Sequence, residues 1–211
     1  MKKISFTILL GLLCINLMSA QELIVEWDDR NNHSDNQWTL GFGVNAINNS
    51  DSQFNDLTNI DHWAFSKIPF YVSAEASVAK KLRLGGMLSF NYTSNGTVFE
   101  GQTILGPDEG GNDAGFTAFD LSLKYSFLNS DAFEPYLSVG TGITHFGDYT
   151  TKENPTVLVG TLDIFTVNAG LGCNIWFSKT WGLNLNATGK WGIAKQYTNY
   201  LQASFGVLYN L

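Results

Sequence analysis

The sequence predicts an all-β protein, an eight-stranded antiparallel transmembrane up-and-down β-barrel. Three observations lead there. Apolar and polar residues alternate in eight stretches of roughly ten residues, and a tilted strand needs about 9 to 11 to cross a bilayer. Every ionisable residue within those stretches falls on one face of its strand. Long and short connections alternate between them, as they do in membrane barrels.

The elements follow in order. Trp38, Leu40, Phe42 and Val44 alternate with Thr39, Gly41, Gly43 and Asn45. Phe70, Val72, Ala74, Ala76 and Val78 alternate with Tyr71, Ser73, Glu75 and Ser77, and Leu82 through Tyr92 continues the pattern with Arg83, Gly85, Met87, Ser89 and Asn91 on the polar side. Phe119, Leu121, Leu123, Tyr125 and Phe127 oppose Asp120, Ser122, Lys124 and Ser126. The second half repeats this grammar. Leu137, Val139, Thr141 and Ile143 face one way, as do Phe165, Val167, Ala169, Leu171, Cys173, Ile175 and Phe177 in the next stretch. Trp181, Leu183, Leu185, Ala187 and Trp191 oppose Asn184, Asn186, Thr188 and Lys190, and the last stretch runs from Leu201 to Leu211 with Leu208 out of phase. Links at about 46–67, 93–115 and 147–161 are long, whereas 79–81, 128–134 and 178–180 are short. The termini therefore belong on the short-turn side. Surface loops tolerate length changes cheaply, so shortening the chain between Gly101 and Gly115 is expected to leave the barrel intact.

A soluble calyx also alternates, with its apolar face inward. The distribution of charge decides against it. The apolar face carries no Asp, Glu, Lys or Arg, while Glu75, Arg83, Asp120, Lys124 and Lys190 share the other face. Five charges are too few for a solvated surface, and the Gly, Ser, Thr and Asn around them suit a narrow lumen. Aromatic residues collect at strand ends, where Trp and Tyr favour the bilayer–water boundary. Trp38, Tyr125, Trp181 and Tyr209 form one girdle at the short-turn level, and Tyr92 and Trp191 belong to the other. In lipid an open sheet edge is not viable, so the strands must close.

Composition sets outer bounds. Charged residues are 15% of the 211-residue chain, well below the usual quarter, which argues against a cytosolic enzyme. Residues 1–20 read as an export signal, with Lys2 and Lys3 ahead of an apolar run that ends at Ser19-Ala20. A lipoprotein cut before Cys14 is disfavoured because Leu13 precedes it. Residues 21–37 form an acidic, Asn-rich linker, and 38–211 the barrel domain. Loss of the signal leaves ten cationic and 19 anionic side chains, a formal −9, which attracts neither nucleic acid nor anionic lipid. It also leaves Cys173 alone, so no internal disulfide forms.

Pro135-Tyr136-Leu137 followed by Gly140 and Gly142, the stretch from Asn168 to Phe177 with Gly170 and Gly172, Trp181-Gly182-Leu183-Asn184, and the terminal strand to Leu211 carry a resemblance. The protein is similar there to the small OmpA-like and OmpX-like outer-membrane β-barrels, in the form common in Bacteroidota. That resemblance covers about 38–211. It implies a Gram-negative outer membrane, surrounding lipid and lipopolysaccharide, and engagement of the barrel-assembly machinery through the C-terminal strand.

Pairing the strands across the 79–81 turn sets Ser77 opposite Arg83 and Glu75 one step further in. Glu75, Arg83, Asp120 and Lys124 are then expected to meet as one ion cluster in the lumen, as in OmpA-like barrels. A self-neutralising polar core is preferred to a gate, because isolated buried charge is costly. Some small barrels modify lipid A, but His145 is followed by Phe146 and Gly147 rather than a nearby Ser, and His33 and His62 lie outside the strands. Asp108, Glu109, Gly110, Gly111, Asn112 and Asp113 could wrap Ca²⁺, yet they lack EF-hand spacing and read as a solvated acidic loop. No cofactor and no metal site are expected. The function expected is a structural or interaction barrel that presents extracellular loops to a ligand, with a small channel for ions or hydrophobic solutes, and then a lipid A-modifying enzyme, as alternatives.

Overall fold

The structure, a computed structural model, describes residues 38–49, 57–65, 67, 69–128, 132–193 and 199–211. The expected export signal and acidic linker, with Cys14 and His33, lie outside them. Eight long strands occur among the described residues: β1 (Trp38–Asn48), β2 (Phe70–Ala79), β3 (Leu82–Thr93), β4 (Ala114–Ser126), β5 (Phe133–Phe146), β6 (Leu162–Trp176), β7 (Trp181–Gly192) and β8 (Tyr200–Asn210). Each pairs antiparallel with its sequence neighbour, and β8 pairs with β1 from Thr39↔Asn210 to Asn48↔Leu201. The sheet therefore closes, and no long edge is left with unpaired backbone groups. Among the described residues no helix is long and apolar enough to cross a membrane.

Side chains follow the period of two. Phe42, Leu121, Val139, Phe165, Leu171, Leu185 and Phe205 stand on the outer face and are exposed, while Thr39, Asn45, Glu75, Asp120, Asn168 and Lys190 point inward and are buried. Leu208, the residue out of phase, is 2% exposed and faces the lumen. The Ser77↔Arg83 pairing holds, with a register shift between Ser77 and Ala79 at the Lys80-Lys81 turn. Lumen glycines make room for large rings: a Cβ on Gly206 would collide with the Tyr71 hydroxyl, and one on Gly172 with that of Tyr136. The two tyrosines can thus lie across the interior of a barrel this narrow.

The long loops differ from the sequence expectation. They are not appendages but a folded cap. Trp63–Ala64 extends the β1 ladder, Val98–Phe99 pairs with Gln102–Thr103 across the left-handed Glu100 and Gly101, and Tyr149–Thr150 pairs with Leu158–Val159. The second and third loops are stitched together by Leu105 N–H to Thr150 O at 2.8 Å, Thr150 N–H to Asn112 O at 3.2 Å and Lys152 N–H to Thr103 O at 2.8 Å. Beneath them Phe99, Ile104 and Tyr149 join Ile47, Ala64, Ala114, Phe116, Ala118, Phe146, Ile164 and Tyr200 in one apolar cluster. An apolar cluster therefore sits at the loop end of the lumen, beside buried polar side chains that include Asn45, Asn91, Thr144 and Gln202. Shortening between Gly101 and Gly115 would remove Ile104 and Ala114, both fully buried.

Candidate functional site: the lumen and its cap

Three tiers of charge cross the lumen, and each draws on strands that are not adjacent. Nearest the short turns, Arg83 Nε lies 3.6 Å from Glu134 Oε1, and Arg83 Nη1 donates to Thr39 Oγ1 at 2.9 Å. Glu134 also accepts from Ser126 Oγ at 2.6 Å, Asn174 Nδ2 at 3.1 Å and Trp176 Nε1 at 3.2 Å. In the second tier Lys124 from β4 bonds Glu75 from β2 and lies 4.6 Å above the Tyr136 ring. Tyr136 Oη in turn accepts from Asn184 Nδ2 at 2.8 Å, and Asn184 Nδ2 donates to Asn174 Oδ1 at 2.8 Å.

In the third tier Lys190 Nζ from β7 meets Asp120 Oδ2 from β4 at 2.6 Å, while Asn168 Nδ2 donates to Asp120 Oδ1 at 2.8 Å. The ammonium also sits 5.3 Å from the Tyr200 ring centroid and 5.9 Å from that of Phe116. Each lysine is thus held by one carboxylate and by aromatic faces, which offsets the cost of burial. A cavity of about 40 Å³ lies between the second and third tiers, bounded by Glu75, Lys124, Asp120, Asn168 and glycines of the wall.

The four residues expected to form a single cluster are therefore divided. Glu75 and Lys124 are paired as a unit, but Asp120 takes Lys190 and Arg83 takes Glu134. The correction has two causes. Lys190 was already on the polar face, but only closure of the barrel carries β7 across to β4. Glu134 was assigned to a turn, whereas β5 begins at Phe133 and turns Glu134 inward.

Above the third tier the rings interlock edge to face, with the Phe99–Tyr149 pair tilted. Centroid separations are 5.5 Å for Phe116–Phe146, 5.8 Å for Phe116–Tyr200, 5.0 Å for Phe99–Phe146 and 4.8 Å for Phe99–Tyr149. Such pairs add directional preference to simple burial. Asn91 pins the first loop over this layer, since its Nδ2 donates to Ala64 O at 3.0 Å and to Asn45 Oδ1 at 3.1 Å. Sequence reading missed this plug because its rings come from loops and from strand ends beyond the alternating stretches. Burial of Phe99 and Tyr149 within connections has no periodic signal.

On the exterior Trp38, Tyr92, Tyr125, Trp181, Trp191 and Tyr209 are between 36 and 51% exposed. Trp181 and Tyr209 pair across β7 and β8 with rings 4.8 Å apart at the short-turn end. Tyr92 lies opposite Gly115 at the other end. His145 Nδ1 is 2.7 Å from Asp163 Oδ1 on the outer rim, and both side chains are at least half exposed. His62 closes a short 3-10 turn at Ile60–His62.

The acidic stretch of the second loop is tied up by cations and amides. Lys67 Nζ lies 2.5 Å from Asp113 Oδ2, Lys152 Nζ is 3.4 Å from Glu109 Oε2, and Asn95 Nδ2 donates to Glu109 Oε1 at 2.9 Å. The Asn95 amide and then Lys152 hold the Glu109 carboxyl below its usual range. Backbone N–H groups of Glu153 itself and of Thr103 do the same for Glu153. Burial pushes Glu100 the other way. Among the described residues no three His, Cys, Asp or Glu side chains converge as a metal-ligand set.

No family model matches the protein, and no curated protein matches it in sequence. Solved structures do. The outer membrane protein OprG of Pseudomonas aeruginosa superposes with a TM-score of 0.60 at 13% identity, over 87% of this chain and 99% of that one. The N-terminal β-barrel domain of Pseudomonas aeruginosa OprF gives 0.54 at 15% identity, over 84% and 98%. Ail, the attachment invasion locus protein of Yersinia pestis, gives 0.52 at 8% identity, over 83% and 97%. At such identities the likeness speaks for the fold alone. By closure, facing and likeness, the protein is an eight-stranded antiparallel transmembrane β-barrel whose structural neighbours are small outer-membrane barrels.

Proposed function

We propose that the protein is a structural or interaction barrel of a Gram-negative outer membrane, which holds a rigid loop cap outside the cell and conducts nothing of consequence. One observation carries this reading. The mouth beneath the long loops is filled by the Phe99, Phe116, Phe146, Tyr149 and Tyr200 rings, so the loops act as a platform rather than a vestibule. The lumen charges are matched pair by pair and leave no surplus to select an ion. The apolar outer face suits membrane lipid and lipopolysaccharide as surroundings, and β8 is the strand offered to the assembly machinery. The ligand of the cap is extracellular, and catalysis has no part in this reading.

The test is single-channel recording of the folded protein in planar bilayers. The expected record is silent or shows brief, small events. A stable, large conductance would transfer the function to a small channel or transporter, the reading favoured by the cavity between Lys124 and Asp120. Lipid A mass spectra from cells with and without the protein should be identical. A mass shift would revive the enzyme alternative at His145 and Asp163.

A further inference from the structure

Asn95-Gly96 is the single Asn-Gly step in the sequence. It occupies the tip of a turn closed by Thr97 N–H to Ser94 O at 3.0 Å. Asn95 is exposed, and Gly96 has a φ of 83° with no atom close to where a Cβ would stand. Gly96 has no side chain of its own to screen its peptide nitrogen, whose N–H donates to Ile104 O at 3.0 Å. The same asparagine is a structural tie: its Nδ2 donates to Glu109 at 2.9 Å, its Oδ1 accepts from Gly106 N–H at 3.3 Å, and Glu109 continues to Lys152 of the third loop.

We propose that Asn95 is a deamidation site, and that its conversion loosens the joint between the second and third loops of the cap. The Gly96 nitrogen attacks Asn95 Cγ and forms a new bond to it. The Cγ–Nδ2 bond of Asn95 breaks, and ammonia leaves with the proton that Gly96 nitrogen gives up. Water then opens the five-membered imide at either carbonyl, yielding Asp or isoAsp, so the overall change is amide plus water to carboxylate plus ammonium. The Gly96 N–H bond to Ile104 O, at 3.0 Å, must open first, and the rate reports that opening. After conversion the donor facing Glu109 becomes an acceptor. Two carboxylates then face each other, and the amide that favoured ionised Glu109 is gone.

Folded full-length protein is incubated at mildly alkaline pH beside a synthetic peptide of residues 92–99, and both are followed by peptide mass spectrometry. Asn95 should convert before any other asparagine of the protein, more slowly than in the peptide. An intact Asn95 when the peptide has fully converted, or another asparagine converting first, overturns the site. In the second arm, Asn95→Asp should raise protease cleavage within 94–113 and 147–161 by about threefold to tenfold, the population change that one lost hydrogen bond produces. Heat-modifiable migration of the barrel should persist. Asn95→Gln keeps an amide donor but needs a six-membered ring to react, so it should resist conversion and be cleaved like the wild type. Wild-type cleavage of Asn95→Asp overturns the loosening. Conductance enters neither arm, so failure of the interaction reading leaves this inference standing.

Discussion

Toward the short turns the barrel interior holds ion pairs and amides, and toward the long loops an aromatic cluster joins the buried amides, although strands such as β4 and β5 turn the same inward face to both regions. Arg83, Glu134, Glu75 and Lys124 serve the first region, and Phe116, Phe146 and Tyr200 the second. What differs is the available partner. In the lower region every wall residue faces only other walls, so each charge needs a countercharge across a narrow gap. At the loop end the connections fold back and bring Phe99, Ile104 and Tyr149, so apolar packing becomes possible. Lys190 stands at the boundary, held by Asp120 below and by the Tyr200 and Phe116 rings above.

The largest effect should come from breaking that boundary. Lys190→Met leaves Asp120 buried without its countercharge and should cost about 3 to 5 kcal/mol in urea unfolding from lipid vesicles. Adding Asp120→Asn should restore much of it. If the losses add instead, the two side chains are not coupled, and the tier is not an ion pair.

Phe116→Ala tests the apolar region and should cost about 3 kcal/mol, as removal of a buried ring does. Ile104→Ala, from a loop, should cost about 2 kcal/mol and so behave as a core substitution. Leu158→Ala in the third loop is half exposed and should stay within about 0.5 kcal/mol. If Ile104→Ala were equally silent, the cap would be no part of the core. The short-turn tier is softer, since the Arg83 and Glu134 side chains retain 15 and 14% exposure and stand 3.6 Å apart. Arg83→Ala should therefore cost about 1 to 2 kcal/mol, less than the dry third tier.

The smallest effect concerns pH and separates cap from barrel. Glu109 and Glu153 have depressed carboxyl pKa values in the folded cap, so their contribution is present above the ordinary carboxylate range and lost as pH falls through the lowered values. Glu100, raised by burial, opposes them: its protonation on acidification relieves a cost. Protease cleavage within the loops, measured in steps of falling pH, should rise below the usual carboxylate range while heat-modifiable migration of the barrel persists. Simultaneous loss of both would mean that cap and barrel open as one unit.

Much of the molecule was legible in its residues alone. The alternation from Phe70 to Tyr92 named the outer face, and its register across Lys80-Lys81 followed from the turn. Glu75, Asp120 and Lys124 were recognisably inward. Their partners were not all recognisable, because alternation gives the face of a residue and not its height or its opposite number. Asp120 and Lys190 are 70 positions apart and meet through closure and strand tilt.

The sequence by itself determined the two faces, the strand count and the inward facing of the charges within the alternating stretches, since each is a property of local period and composition. Only the tertiary structure decided how the six lumen charges are divided and that the long loops own part of the core. Pairing across a barrel is a distance, set by how many strands lie between two residues and by their stagger. Burial of Phe99, Ile104 and Tyr149 depends on where two long connections come to rest, and no repeating pattern encodes that position.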